Sequence, residues 1–144
     1  MNCIGCRLAK KQENVHVVYE TATLTCILDY MPFNPGHVLI LPKQHATEVE
    51  ELDPRIAIDI MEASRFLSKA VKAAFNPDGI TIIQNGGGFN DLDHYHMHVI
   101  PRFEGQDFAE FFSEEGEPAQ EEDLAQAARK LIRVIKEMEQ HARV

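Results

Sequence analysis

Three histidines alternate with apolar residues in His94-Tyr95-His96-Met97-His98-Val99-Ile100. Strand side chains point alternately to opposite faces, so His94, His96 and His98 share one face while Tyr95, Met97 and Val99 enter an apolar layer. Same-face neighbours lie about 6.6–6.8 Å apart. Two chemistries suit such a row. Neutral imidazoles ligate metals, and three of them can form a single catalytic metal centre. Alternatively, the central imidazole is a nucleophile, oriented through its other ring nitrogen while its neighbours bind what it attacks. The second reading also gives a role to the loop Asn85-Gly86-Gly87-Gly88-Phe89-Asn90, because glycines let backbone amides approach an anion closely. A further pair of reactive groups lies near the start of the chain. Cys3-Ile4-Gly5-Cys6 has the spacing of two metal-binding thiolates, which is half of a four-ligand shell.

These groups must be positioned by regular structure. Residues 15–20 and 24–28 read as a β-hairpin, and residues 37–41 as a short buried strand closed by Pro42 after a turn holding Pro32, Pro35 and Gly36. From residue 54 to 75 the apolar period becomes helical, through Ile56, Ile60, Leu67, Val71 and Phe75, with Asp53-Pro54 as cap and first turn. Asn76-Pro77-Asp78-Gly79 ends that helix. Residues 80–84 and 94–101 read as two more strands flanking the glycine loop, and residues 119–141 as a second helix with Leu124, Ala128, Leu131, Ile135 and Met138 on one stripe. Strands and helices do not alternate as βαβ units, so the expected class is α+β with an antiparallel sheet of about five strands, one long central helix and a C-terminal helix.

At 144 residues the chain suits one domain with its own core. Three cysteines without an apolar leader favour metal or redox roles over paired disulfides, and the expected location is cytoplasmic. No apolar run approaches the roughly 20 residues of a membrane span. The net charge of −9 is local: residues 104–123 hold nine acids and no Lys or Arg, leaving fourteen acids against fourteen bases elsewhere. Binding to long nucleic acid, which needs a basic face, is not expected, whereas one small anionic ligand is compatible. The acidic stretch reads as a solvated loop. Cys26 reads as a small buried hydrophobe, His16 and His141 as surface residues without companions, and Phe103, Phe108, Phe111 and Phe112 as packing against the sheet or a second subunit.

The row of histidines followed by Val99-Ile100-Pro101-Arg102 resembles the signature of the histidine triad (HIT) superfamily. So does Gly36-His37-Val38-Leu39-Ile40-Leu41-Pro42-Lys43-Gln44-His45 upstream of it, and Cys3 and Cys6 resemble the zinc-binding pair of many bacterial members. The resemblance implies a HIT-like fold of the whole chain, with a zinc-binding segment at 1–14 and the acidic loop and helix at 103–144. It implies a nucleotide hydrolase or nucleotidyl-phosphoramidase acting on a dinucleoside polyphosphate or nucleoside phosphoramidate. His96 would attack the α-phosphorus and carry the nucleotide, His98 would contact phosphate oxygens, and a backbone carbonyl, with His37 in the network, would orient the nucleophile. Asp29 would bind the ribose hydroxyls, Asn85 would contact sugar or phosphate, and Asn90, where most members carry Gln, would donate to the phosphoryl oxygens or the leaving group. Cys3, Cys6, His45 and His94 would hold a structural zinc, and the protein would form a homodimer. A zinc-stabilised nucleotide-binding or interaction module with little turnover is the alternative. Two departures stand out: the loop between Asn85 and His94 is about two residues shorter than the commoner pattern, and Asp91 replaces a Ser or Thr. A carboxylate there repels a polyphosphate unless protonated, metal-bound or turned away.

Overall fold

The computed structural model describes residues 3–109 and 117–142. Five strands form one antiparallel sheet in the order β1-β2-β3-β5-β4: β1 (Val17–Glu20), β2 (Leu24–Leu28), β3 (Val38–Pro42), β4 (Gly79–Gln84) and β5 (Met97–Arg102). A short helix α1 (Ile4–Ala9) precedes them, the long helix α2 (Pro54–Phe75) joins β3 to β4, and α3 (Glu121–Ala142) closes the chain. The expected α+β class, five-stranded sheet and two long helices are all present. Among the described residues no helix is long and apolar enough to cross a membrane.

Sequence explains most of these boundaries. The Asp53 side chain accepts the Arg55 N–H at 2.8 Å and Pro54 occupies the first turn of α2. Asn76 ends that helix in the left-handed conformation, at φ 50°. Ile56, Ile60, Ala63, Leu67, Ala70, Val71 and Ala74 form its buried face. They pack with Leu124, Leu131 and Ile135 of α3 against Leu24, Cys26, Val38, Ile40 and Val99 of the sheet. Each large apolar side chain so buried contributes about 1.5–3 kcal/mol. Cys26 belongs to this core as expected, fully buried, its thiol pushed up to about 12 by burial.

The other face of the sheet is covered differently. Ile27, Leu39 and Leu41 meet Ala9, Leu8 and Leu92, which come from α1 and the loop before β5. Both faces are therefore covered at β2 and β3, whose residues are all buried. This second face carries the chemistry. Gly36 makes the entry to β3 possible: at φ +94° it holds a conformation side chains avoid, and a Cβ there would meet the Phe75 ring at 2.7 Å.

Three boundaries differ from expectation. The histidine strand begins at Met97 rather than His94, and β1 at Val17 rather than Val15. The second helix begins at Glu121 rather than Ala119, and Glu121, Glu122 and Asp123 fill its first turn, where acids complement the dipole. Phe111 and Phe112 lie outside the described residues. Phe108 is exposed, its ring 5.1 Å from the Arg102 guanidinium, so it caps a charge and leaves the sheet core to others.

Candidate functional site: a metal cluster beside a histidine pocket

The segment before β5 splits the histidine row in two. Tyr95 and Met97 turn into the helix-side core, as alternation requires. Tyr95 N–H is anchored to the Ala46 carbonyl at 2.6 Å in place of a strand partner. The His94 ring points toward the N-terminus of the chain, where Cys3, Cys6 and His45 meet it. His98 groups instead with Asp29 and His37. The three histidines therefore do not converge on one metal, and the single-centre reading is overturned.

Around His94, Cys3 Sγ lies 3.6 Å and Cys6 Sγ 3.5 Å from Nδ1. His45 Nδ1 is 3.2 Å from Cys6 Sγ and 3.3 Å from His94 Nδ1. A tetrahedral zinc with bonds of about 2.3 Å to sulfur and about 2.05 Å to nitrogen separates its ligands by about 3.6 Å (S···N) and about 3.3 Å (N···N). The four side chains fit that ion. The surroundings fit as well. His94 Nε2–H donates to the Pro42 carbonyl at 2.8 Å, which leaves the Nδ1 lone pair facing the sulfurs. Cys3 Sγ caps α1 by accepting the Cys6 N–H at 3.2 Å. Gly5 permits the approach, since a Cβ there would collide with Cβ and Cγ of His94. The cluster is a structural Cys2His2-type zinc site with no position left open for water.

His96 is held through the same residue. Its Nδ1–H donates to the His94 carbonyl at 2.8 Å, so Nε2 carries the lone pair. Asn90 Nδ2 also donates to that carbonyl, at 3.3 Å, and to the Thr47 carbonyl at 3.2 Å.

Sheet register assembles the next set. Leu28 pairs with Val38 and Leu39 with His98, which brings Asp29, one residue beyond β2, beside His37 and makes His37 the diagonal neighbour of His98. Phe33 N–H donates to His37 Nδ1 at 3.0 Å, so the His37 proton sits on Nε2 and is given to His98 Nδ1 at 2.9 Å. His98 in turn must carry its proton on Nε2. Burial, reinforced by the neighbouring imidazoles, lowers His37 to about 3 and His98 to about 4, so both rings are neutral near pH 7. Their contacts with Asp29 Oδ2, at 3.6 and 4.0 Å, are accordingly not ion pairs at that pH. Burial raises Asp29 to about 6, with the Asp91 charge adding to the effect against the Met31 N–H and His96.

His96 and His98 open into a cavity of about 800 Å³ whose wall includes Ile4, Leu8, Ile27, Leu92 and Asp29. A smaller cavity of about 370 Å³ behind Asp29 and His37 contains neither of the two imidazoles. The large cavity combines an apolar wall with a lone-pair nitrogen, a ring N–H donor and a carboxylate, a set able to hold a flat ring and a neighbouring anion.

Residues 10–105 match the HIT domain family. The chain belongs to that family. It is 35% identical over 104 residues to the adenosine 5'-monophosphoramidase hnt1 of Schizosaccharomyces pombe, covering 71% of this chain and 75% of that protein. Protein hit of Bacillus subtilis is 30% identical over 126 residues, covering 85% and 87%. A zinc-bound histidine triad family protein from Mycobacterium smegmatis superposes with a TM-score of 0.82 at 26% identity, covering 98% of each chain. Cys3 and Cys6 precede the family match, so half of the metal cluster lies outside the HIT segment.

Within this HIT fold some sequence expectations meet a different geometry. A backbone carbonyl, that of His94, orients His96 as expected, but His37 bonds to His98 and not to that carbonyl. The glycine loop gives the Gly87 N–H to Glu48 Oε1 at 2.8 Å, and its Phe89 and Asn90 amides are bonded within the loop's own 3₁₀ turn. Asn90 is buried with its amide engaged by Thr47, His94 and the Leu92 N–H. Neither it nor Asn85 forms part of the large cavity's wall. His16 does, and it is not companionless: its Nε2 lies 2.7 Å from Glu121 Oε1 at the start of α3. Ala119, whose N–H donates to the Tyr30 carbonyl at 2.8 Å, brings that end of α3 to the cavity. Only the long-range pairing of residues 16 and 121 reveals this wall, and no local pattern signals it.

Proposed function

We propose that the chain is a nucleotide hydrolase or nucleotidyl-phosphoramidase that cleaves at the α-phosphate through a covalent nucleotidyl-His96 intermediate. One observation carries the reading: His96 is fixed through Nδ1 by the His94 carbonyl so that its Nε2 faces the cavity shared with His98 and Asp29. In the first step Nε2 gives its electron pair to phosphorus and the bond to the leaving group breaks, its electrons departing with that group. In the second, water attacks the phosphorus and gives up a proton to solvent, the P–N bond to His96 breaks with its electrons returning to Nε2, and a mononucleotide leaves. Splitting one displacement in two lowers each barrier, and neutral imidazole is nucleophilic near pH 7.

The remaining residues take roles within that scheme. His98 presents its Nε2–H to phosphate oxygens as charge develops, supported by the proton relay from Phe33 and His37. Asp29 accepts the ribose hydroxyls once ionised. Asn90 acts by steadying the carbonyl that orients His96, and Asn85, the first residue of the glycine loop and outside the cavity wall, meets sugar or phosphate only where the substrate extends past that wall toward the loop. We read the N-terminal thiol pair as the mark of a Cys-x-x-Cys branch like that of bacterial members, its zinc structural and outside catalysis. The named activity of the fission-yeast relative supports a phosphoramidate substrate. We further infer a single cytoplasmic domain that forms a homodimer. The edge strand β4 supports pairing, since none of its residues is buried and Ile82 is 49% exposed.

The test compares wild type with His96→Ala on an adenosine phosphoramidate and a diadenosine polyphosphate, with acid-quenched samples probed for nucleotide bound to protein. Wild type should turn over at least one substrate and trap the adduct, and the variant should lose on the order of 10³-fold or more in kcat. Tight nucleotide binding with no turnover in wild type would replace the hydrolase reading with a binding module. A monomer by size-exclusion chromatography at micromolar concentration would remove the dimer.

A further inference from the structure

Asp91 occupies an unusual position for a carboxylate. Its Oδ1 lies 3.3 Å from His96 Nε2, the nitrogen that the proposed function uses for attack, while its own side chain is 83% exposed. It therefore stands at the mouth of the cavity, beside the nitrogen that phosphorus must approach, where its charge acts through a short distance on whatever group is attached to that phosphorus. The rest of the wall is acidic in the same sense. Asp29, Asp91 and Glu121 contribute to it, and among its described residues there is no Lys or Arg. The nearby glycine loop has already committed the Gly87 amide to the Glu48 carboxylate. A chain of phosphates needs cations or free amides along its length, and this wall is poor in both.

Resting on the function proposed above, we propose that Asp91 is a leaving-group selector, its negative charge favouring departure of an amine nitrogen and opposing departure of a phosphate chain. With a phosphoramidate, the bridging nitrogen first takes up a solvent proton, balanced by the one released to solvent when water later hydrolyses the His96 adduct, and becomes positive. His96 Nε2 then gives its electron pair to phosphorus, the P–N bond to the amine breaks, and its electrons return to that nitrogen. The amine leaves neutral, keeping the proton it took up. While the nitrogen is positive, the Asp91 carboxylate attracts it. With a dinucleoside polyphosphate, a P–O bond breaks and the departing oxygen gains negative charge beside the same carboxylate. Water screens an exposed charge, so each effect should amount to about fivefold in rate.

The experiment measures kcat/KM for an adenosine phosphoramidate bearing an alkylamine and for diadenosine tetraphosphate, in wild type, Asp91→Asn and Asp91→Glu. Asp91→Asn should lower the first about fivefold and raise the second about fivefold, while Asp91→Glu keeps the wild-type preference. Raising the salt concentration should narrow the wild-type preference and leave that of Asp91→Asn nearly unchanged. Equal changes for both substrates in Asp91→Asn, or a wild-type preference indifferent to salt, would overturn the selector while leaving the hydrolase intact. A wild-type protein inert toward both substrates would instead overturn the hydrolase reading, and the selector with it.

Discussion

His94 and His96 are two residues apart and serve opposite ends of the molecule's chemistry. Each ring is fixed by one backbone carbonyl, but at different nitrogens. His94 gives Nε2–H to Pro42, which turns Nδ1 to the two thiols and His45. His96 gives Nδ1–H to His94, which turns Nε2 to an open cavity. A closed set of four donors suits a structural ion, and a single ring nitrogen facing a cavity, with only the exposed Asp91 carboxylate beside it, suits attack. Residue type does not separate these roles. The choice of carbonyl does, and the two sites meet in His94, whose ring belongs to one and whose carbonyl serves the other.

If the division holds, damage to the two sites should be separable. Cys3→Ser should reduce bound zinc from about one per chain to near zero, as elemental analysis would read. It should also cost about 3 kcal/mol or more of stability, the linkage value when free metal exceeds its dissociation constant by about a hundredfold. A chelator should lower the wild-type melting temperature and leave that of Cys3→Ser unmoved. Turnover should fall much less than in His96→Ala, because Asn90 still holds the His94 carbonyl. Equal loss of turnover in the two variants would merge the sites into one. A finer probe is Gly5→Ala, which sets a methyl against His94. It should cost about 1–3 kcal/mol through overpacking and weaken zinc retention, with the cavity residues unchanged.

Much of this was legible beforehand. The order of strands and helices followed from changes of hydrophobic period, and Asp53-Pro54 and Asn76 marked both ends of α2. The quartet of Cys3, Cys6, His45 and His94 came from resemblance, and the geometry bears it out. What stayed hidden was of another kind. The six residues of α1 are too few to show helical periodicity, and their helix stands on a Cys3 cap and tertiary contact. Strand β5 starts late because the Tyr95 N–H donates to the carbonyl of Ala46, far away in sequence. The pairing of His16 with Glu121 and the His37–His98 relay likewise depend on register and loop closure. Local patterns report periodicity; they do not report which distant carbonyl or carboxylate a polar group meets.

The smallest expected effect concerns the buried pair His37 and His98, set against Asp29. The unfolded chain protonates each histidine near pH 6.5, whereas the fold holds them neutral down to about 3 and about 4. Between these values the unfolded state binds more protons, so stability is lost as pH falls below 6.5. Asp29 acts in the opposite sense. Its folded value of about 6 exceeds its ordinary 3.8, so the fold binds the extra proton and stability from this group is lost as pH rises toward 6. From about pH 6 down to about 4 the two histidine contributions and the one from Asp29 leave a net difference of one proton. That amounts to a slope of about 1.4 kcal/mol per pH unit, measurable by urea unfolding at a series of pH values. His37→Asn should lower the measured slope by about 1.4 kcal/mol per pH unit, and Asp29→Asn should raise it by about as much. A His37→Asn profile that matches wild type would mean the ring is already protonated in the fold, and the proton relay to His98 could not then run from Phe33 through His37.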